Sequence, residues 1–227
     1  MTAYSRYDRW FSALALCIAL APVFLTPAQT HADLLPTDSN AMPAWQGSSL
    51  INSSFPSGAF STNVDYAVYA PGKFDLSFPG QDPSGGAQYV YAYQILNSLN
   101  STASIREFTV GLHGNGSPAD IGSVADPIPP SGNAENLAYF SGSPPTSAVW
   151  SYTDSMISSG AESRILVFTS PNPPEWDLAS LLGTRGSLGQ APGLGLPSPT
   201  PEPTALLGLG TIACAFVLMR QLRRRCN

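Results

Sequence analysis

The chain has 227 residues and a formal net charge of −5, with 43% apolar but only 11% charged residues. Its three cysteines, Cys17, Cys214 and Cys226, all lie outside residues 33–200, which excludes a disulfide, a catalytic thiol or a thiolate metal site from that region. Between 33 and 200 four bases face thirteen acids, a net of −9, which makes this region a poor partner for nucleic acid or an anionic surface.

The first elements are export signals. Arg6 and Arg9 give a positive n-region, residues 11–25 an apolar h-region, and Thr30-His31-Ala32 ends on the small residue that a signal peptidase requires. Residues 1–32 are therefore predicted as a secretory signal peptide, cut between Ala32 and Asp33. The short apolar run, Pro22 within it and the lack of a positive cluster after it argue against a permanent anchor. Arg6 and Arg9 are not adjacent, so a twin-arginine signal is unsupported, and bulky Leu16 before Cys17 is wrong for a lipoprotein box.

Residues 33–45 read as a loosely ordered lead-in, and residues 46–185 as one domain with its own core. That domain reads as β. Tyr89, Tyr91, Tyr93 and Ile95 alternate with Val90, Ala92, Gln94 and Leu96, the period-two pattern of a strand. Residues 97–102 (NSLNST) are a predicted turn, and residues 105–113 a second strand. There Arg106, Phe108, Val110 and Leu112 share one face, while Glu107 and Thr109 take the other. The two strands make the best hairpin in the chain. Residues 64–69, 74–78, 148–152 and 164–170 are further strand candidates, punctuated by Pro71-Gly72, Pro79-Gly80 and Pro144-Pro145. Residues 134–139 and 176–182 are at most short turns of helix. Short strands at this spacing predict an all-β fold, an antiparallel β-sandwich. The runs Tyr-x-Tyr-x-Ile-x-Asn and Ile-Arg-x-Phe-x-Val also resemble strand pairs of bacterial Ig-like surface modules, so an Ig-like or jelly-roll-like arrangement is expected.

Residues 186–200 (GSLGQAPGLGLPSPT) carry no charge and are dense in Gly, Pro and Ser, the composition of a flexible tether. The tail follows over residues 201–227: Pro201-Glu202-Pro203, a membrane helix predicted over 204–219, and a basic end with Arg220, Arg223, Arg224 and Arg225. Residues 205–219 have no charge. As a helix they reach roughly 22 Å, short of the ~30 Å hydrocarbon core, and snorkelling arginines make up part of the difference. The arginine cluster is a stop-transfer signal that keeps the C-terminus cytoplasmic and leaves everything before Pro201 outside.

A rigid Pro-Glu-Pro, one apolar span and a terminal arginine cluster, in that order, resemble the PEP-CTERM sorting domain of Gram-negative envelope proteins. The resemblance covers only about the last 27 residues. It implies recognition by an exosortase-like processing enzyme, cleavage near Pro201-Glu202-Pro203, and an association with exopolysaccharide. The precursor would be anchored in the inner membrane and the product would reach the cell envelope, the outer surface or the medium.

Little else in the chain points to chemistry. His113 is the one histidine left after the signal, in the glycine-rich run Gly111-Leu112-His113-Gly114-Asn115-Gly116, and no Gly-x-Ser-x-Gly occurs. One histidine and no cysteine leave no expected zinc or copper site, and the Asp75–Asp82 stretch lacks the alternating acids of an EF-hand. Gly114-x-Gly116 lacks the third glycine and following helix of a dinucleotide loop. No catalytic residue, metal or cofactor is expected. Trp176, between Glu175 and Asp177, and Trp150 are candidate sugar platforms, with Trp45 open to the same idea. The expected function is a non-enzymatic structural or adhesive protein of the cell surface or extracellular matrix. A carbohydrate-binding module using surface tryptophan is the alternative, and a glycan-acting hydrolase working through paired carboxylates is a third.

Overall fold

A computed structural model describes residues 35–56, 58–112, 117–125, 132–190 and 195–200. They form twelve strands: β1 (Gln46–Phe55), β2 (Gly58–Tyr69), β3 (Tyr89–Asn97), β4 (Ile105–Gly111), β5 (Ala119–Val124), β6 (Leu137–Ser141), β7 (Ser147–Ser151), β8 (Ile165–Ser170), β9 (Pro174–Asp177), β10 (Ala179–Gly183), β11 (Leu188–Gln190) and β12 (Leu196–Pro199). One four-residue helix, α1 (Phe74–Ser77), and short 3-10 turns are the only helical elements among the described residues. Every ladder between named strands is antiparallel. The all-β expectation holds.

Two five-stranded sheets divide the strands. The first has the order β1-β2-β3-β8-β5, the second β11-β10-β4-β7-β6, and β9 pairs with β12 as a separate ribbon. Their facing side chains make one core: Ile51, Val64, Tyr91, Tyr93, Ile95, Leu166 and Phe168 from the first sheet meet Ile105, Phe108, Val110, Trp150 and Leu181 from the second. Aromatic rings dominate its centre. Tyr91 stacks on Phe168 at 4.8 Å, and Tyr93 lies 5.6 Å from Phe108 and 6.0 Å from Trp150, in the offset and edge geometries that ring quadrupoles favour. Trp150 also ties the sheets together, its Nε1 donating across the gap to Gly122 O at 2.9 Å.

The first sheet is covered on its other face as well. Val90 and Ala92 of β3 and Ile165 and Val167 of β8 point away from the second sheet into a separate cluster with Leu35, Ala41, Tyr69, Phe74 and Phe78. This explains why β3 and β8 are apolar on both sides, since a strand buried on both faces needs no polar alternation. The covering layer comes from residues 35–41 and α1. Tyr69 donates its hydroxyl to Asp38 Oδ2 at 2.7 Å inside it. Residues 33–45, expected to be loose, thus contain a packed segment anchored by buried Leu35 and Asp38.

Four other expectations change. Residues 74–78 are not a strand, because Phe74 and Phe78 are four apart and stack at 4.6 Å on the same side, with Phe78 N donating to Phe74 O at 2.9 Å. Strands β3 and β4 are not a hairpin. They belong to different sheets, and residues 98–104 cross between them. Buried Asn97 fixes that crossing by donating to Ala103 O and Ile157 O, both at 3.1 Å, and accepting from Thr62 Oγ1. Arg106 does not share the face of Phe108: Glu107 pairs with Leu182 and Ile105 with Gly183, so Arg106 is the extra residue of a bulge and is exposed. Residues 134–139 and 176–182 are strand rather than helix over Leu137–Ser141 and around the β9–β10 junction, where Leu178 is 65% exposed and Ala179 and Leu181 are buried.

The tether read over 186–200 is also corrected. Its residues 188–190 and 196–199 are strands, and Leu196 to Pro199 are all buried. Gly189 lets β11 close against the first sheet, since a Cβ there would lie 2.8 Å from Ile51 and 2.9 Å from Phe60. The signal peptide and the membrane helix lie outside the described residues. Among the described residues no helix is long and apolar enough to cross a membrane.

The buried tyrosines give the fold a pH signature. Burial pushes the Tyr69, Tyr91, Tyr93 and Tyr152 hydroxyls above their ordinary range, aided by Asp38 at Tyr69, by Tyr89 and Glu175 at Tyr91, by Tyr91 and Asp177 at Tyr93, and by Glu135 at Tyr152. A raised folded pKa gives stability that is complete below the unfolded value of about 10 and is lost as pH rises above it. Each such group removes about 1.4 kcal/mol per pH unit above that point. Thermal unfolding should therefore be flat through neutral pH and fall steeply above about pH 10, and the part of the tyrosinate absorbance that comes from these four rings should rise together with unfolding rather than before it.

Candidate functional site

The ribbon of β9 and β12 packs Leu196 into the core and carries Trp176, which joins a partly exposed aromatic group. Trp176 of β9 lies 4.9 Å from Trp45, with ring planes 33° apart, and 5.9 Å from the edge of Tyr66. Trp45 comes from the 3-10 turn Pro43–Trp45 and Tyr66 from β2, so three distant segments meet here. Gly47 is needed beside them: its φ is +157°, and a Cβ there would sit 2.9 Å from the Tyr66 hydroxyl. All three rings are only half-buried.

The acids flanking Trp176 do not simply face water. Asp177 Oδ1 accepts from Leu178 N at 2.6 Å, and its carboxylate lies 3.0 Å from where a Cβ on Gly111 would be. Glu175 lies close enough to help push the Tyr91 hydroxyl up, and Asp177 does the same for Tyr93. Both acids belong to the seam between ribbon and core.

The other tryptophan candidate is corrected. Trp150 is 0% exposed, packed 5.6 Å from Phe108 in the core, and presents no face to a sugar. Its apolar neighbours, in contrast to the acids beside Trp176, fit that burial, and the topology accounts for it: β7 lies inside the second sheet while β9 lies in the separate ribbon.

The Asp75–Asp82 stretch staples a loop. Asp75 Oδ1 accepts from Gln81 N at 3.1 Å and Asp82 N at 2.9 Å, while Asp82 Oδ1 accepts from Ser84 N at 2.8 Å and Ser84 Oγ at 2.7 Å. These are side-chain turns of the kind Asp forms with amides two and more residues on. Among the described residues no three His, Cys, Asp or Glu side chains gather as a metal site. Open depressions among the described residues include one beside this loop, of about 410 Å³, lined by Gln81, Asp82, Asp120 and Ile121, and two more. One of about 370 Å³ is lined by Leu50, Asn63, Leu96, Leu99 and Glu162, and one of about 530 Å³ by Asn133, Glu135, Asn136, Asp154 and Ser155. In the second, Asn136 is committed to Asp154, accepting from its N at 2.8 Å and donating to its Oδ2 at 3.4 Å.

The sorting residues Pro201, Glu202 and Pro203, the stop-transfer residues Arg220, Arg223, Arg224 and Arg225, the junction Ala32-Asp33, and His113 all lie outside the described residues. What the structure adds is the base from which the tail departs. Thr200 N donates to Pro173 O at 2.8 Å and Asn172 Nδ2 donates to Thr200 O at 2.9 Å, so the chain is held in the ribbon up to the residue before Pro201. Asn172 and Ser198 were not singled out from sequence, and Tyr93 was read only as a strand residue, because no local pattern marks a side chain that bonds 28 or more positions away.

No protein-family model matches the chain, and no curated protein is similar to it in sequence.

Proposed function

We propose that this is an exported, non-enzymatic protein of the cell surface or extracellular matrix, whose two facing sheets form an Ig-like or jelly-roll-like β-sandwich and whose tail is a PEP-CTERM-type sorting signal. The observation that carries the reading is the tail itself, Pro201-Glu202-Pro203 before an uncharged span and an arginine cluster. The ordered body fits such a role. It needs no disulfide, its polar loops are stapled by their own side chains, and its net charge of −9 over residues 33–200 favours solubility outside the cell. A signal peptidase would release the N-terminus between Ala32 and Asp33, the helix over 204–219 would hold the precursor in the inner membrane, and an exosortase-like enzyme would then remove the tail. The product would join the envelope or an exopolysaccharide layer.

Glu202 tests this directly. The Glu202→Ala variant should keep its arginine tail, adding roughly 2–3 kDa to the intact mass of the recovered protein, while its melting temperature stays within about 2 °C of wild type because the site lies beyond the ribbon. A variant that loses its tail at the normal rate would sink the motif assignment.

A second reading rests on the Trp45–Trp176 pair, two partly exposed residues of the kind that stack on a sugar. Trp176→Ala should cost about 1–3 kcal/mol in thermal unfolding through lost ring packing alone. If the pair is also a platform, exopolysaccharide from the producing cell will shift the wild-type tryptophan emission and leave the variant unchanged. An identical response from both proteins removes the carbohydrate reading.

A further inference from the structure

The last described residues form a clasp. Leu196 is fully buried in the core, and Leu196 to Pro199 pair in register with Asp177 to Pro174. Two bonds fasten this strand to the two sheets: the Tyr93 hydroxyl donates to Pro197 O, and Ser198 Oγ donates to Gly111 O at 2.9 Å. Beside it the Tyr91 hydroxyl donates to Asn172 O at 2.8 Å, which fixes the loop that in turn holds Thr200 from both its N and its O. Gly195 precedes the strand, with a φ of +88° that would strain any other residue and a missing Cβ that leaves room for Asp177 O.

The prolines have a placement that follows from parity. Thr200 N points to β9, so the N–H groups of residues 196 and 198 point there too, and the nitrogens of Pro197 and Pro199 point away. The outward edge of the clasp therefore lacks donors, and another strand cannot pair along it. Fixed proline φ angles also lower the entropy lost when the segment docks. A processing protease draws its substrate into an extended strand in its own cleft. Residues 196–200 cannot supply one without leaving the core.

We infer that β12 sets the boundary of tail release: the folded domain protects every peptide bond from Leu196 to Thr200, and cleavage falls distal to Thr200. The cut is a hydrolysis, in which one water adds across one bond, leaving a new carboxylate on the domain and a new amine on the tail. The identity of the cutting enzyme rests on the sorting reading; the clasp does not. Four residues, 201–204, separate the clasp from the uncharged span, a reach of about 14 Å at 3.3–3.6 Å each. On the sorting reading, the cutting partner works between a folded domain and the membrane.

The test uses the full chain. Brief digestion of the purified precursor with a broad-specificity protease, read by mass spectrometry, should give a stable fragment ending after Thr200, with cuts inside 196–200 at least about tenfold slower than cuts beyond it. Cuts spread evenly across 196–204 would overturn the inference. A stop after Thr200 should melt within about 2 °C of the full chain, whereas a stop after Gly195 should melt roughly 10 °C or more lower, or fail to fold. Equal melting of the two would overturn it as well. A milder variant, Tyr93→Phe with Asn172→Ala, leaves no large cavity and should raise cutting inside 196–200 about tenfold; no change would count against the clasp. In the native cell, a wild-type product that still carries its arginines would overturn the sorting reading and leave these three in vitro results as they stand.

Discussion

The hydroxyl of Tyr93 enters a core sealed from water, and there it must find an acceptor or cost the domain the desolvation of a polar group. It finds Pro197 O, more than a hundred residues further along the chain. Tyr91, two positions earlier on the same face, solves the same problem with Asn172 O. These two bonds explain why a ribbon outside both main sheets belongs to the fold. The ring bodies fill the space between the sheets and the hydroxyls reach the end of that space, so the ribbon is where the chain closes the core and meets its last polar demands.

The same strand imposes the second layer. Because β3 alternates Tyr91 and Tyr93 with Val90 and Ala92, packing one face still leaves apolar surface on the other. Residues 35–41 and α1 cover it, with Phe74, Phe78 and Tyr69 in mutual ring contact. Burying Phe74 and Phe78 removes large apolar areas from water, on the order of 1.5–3 kcal/mol per side chain. Asp38 brings a carboxylate into that layer, and the hydroxyl of Tyr69 donates to it. A domain without cysteines thus holds itself together by covering a central sheet twice.

Several polar side chains serve the fold itself. Asp75 and Asp82 staple a loop, Asp177 sits at the ribbon seam, and Asn97 anchors the crossing between sheets. Our proposal of a structural or adhesive role draws on the tail. The half-exposed Trp45–Trp176 pair is the feature that keeps a carbohydrate role in view. The clasp links the two ends of the proposal, since the segment that completes the domain is also the one that delivers the sorting motif.

Sequence alone determined the strand character of the domain, because period-two runs such as Tyr89 to Leu96 state which residues share a face whatever they pack against. It also determined the candidate export and sorting signals, which are linear features read by composition and order. It did not determine partners. The Asn97–Ser104 segment looks like a hairpin turn, yet it crosses between sheets, because a buried Asn97 bonds to Ile157 O sixty positions away. Likewise, Trp150 and Trp176 were both open as platforms, and the position of their strands made one core and the other partly exposed. Residues 186–200 read as a tether because Gly, Pro and Ser lower the local preference for structure. Tertiary contacts reversed that reading: Leu196 gains a core to fill, and Pro197 gains a tyrosine hydroxyl, from residues too distant for any local pattern to announce.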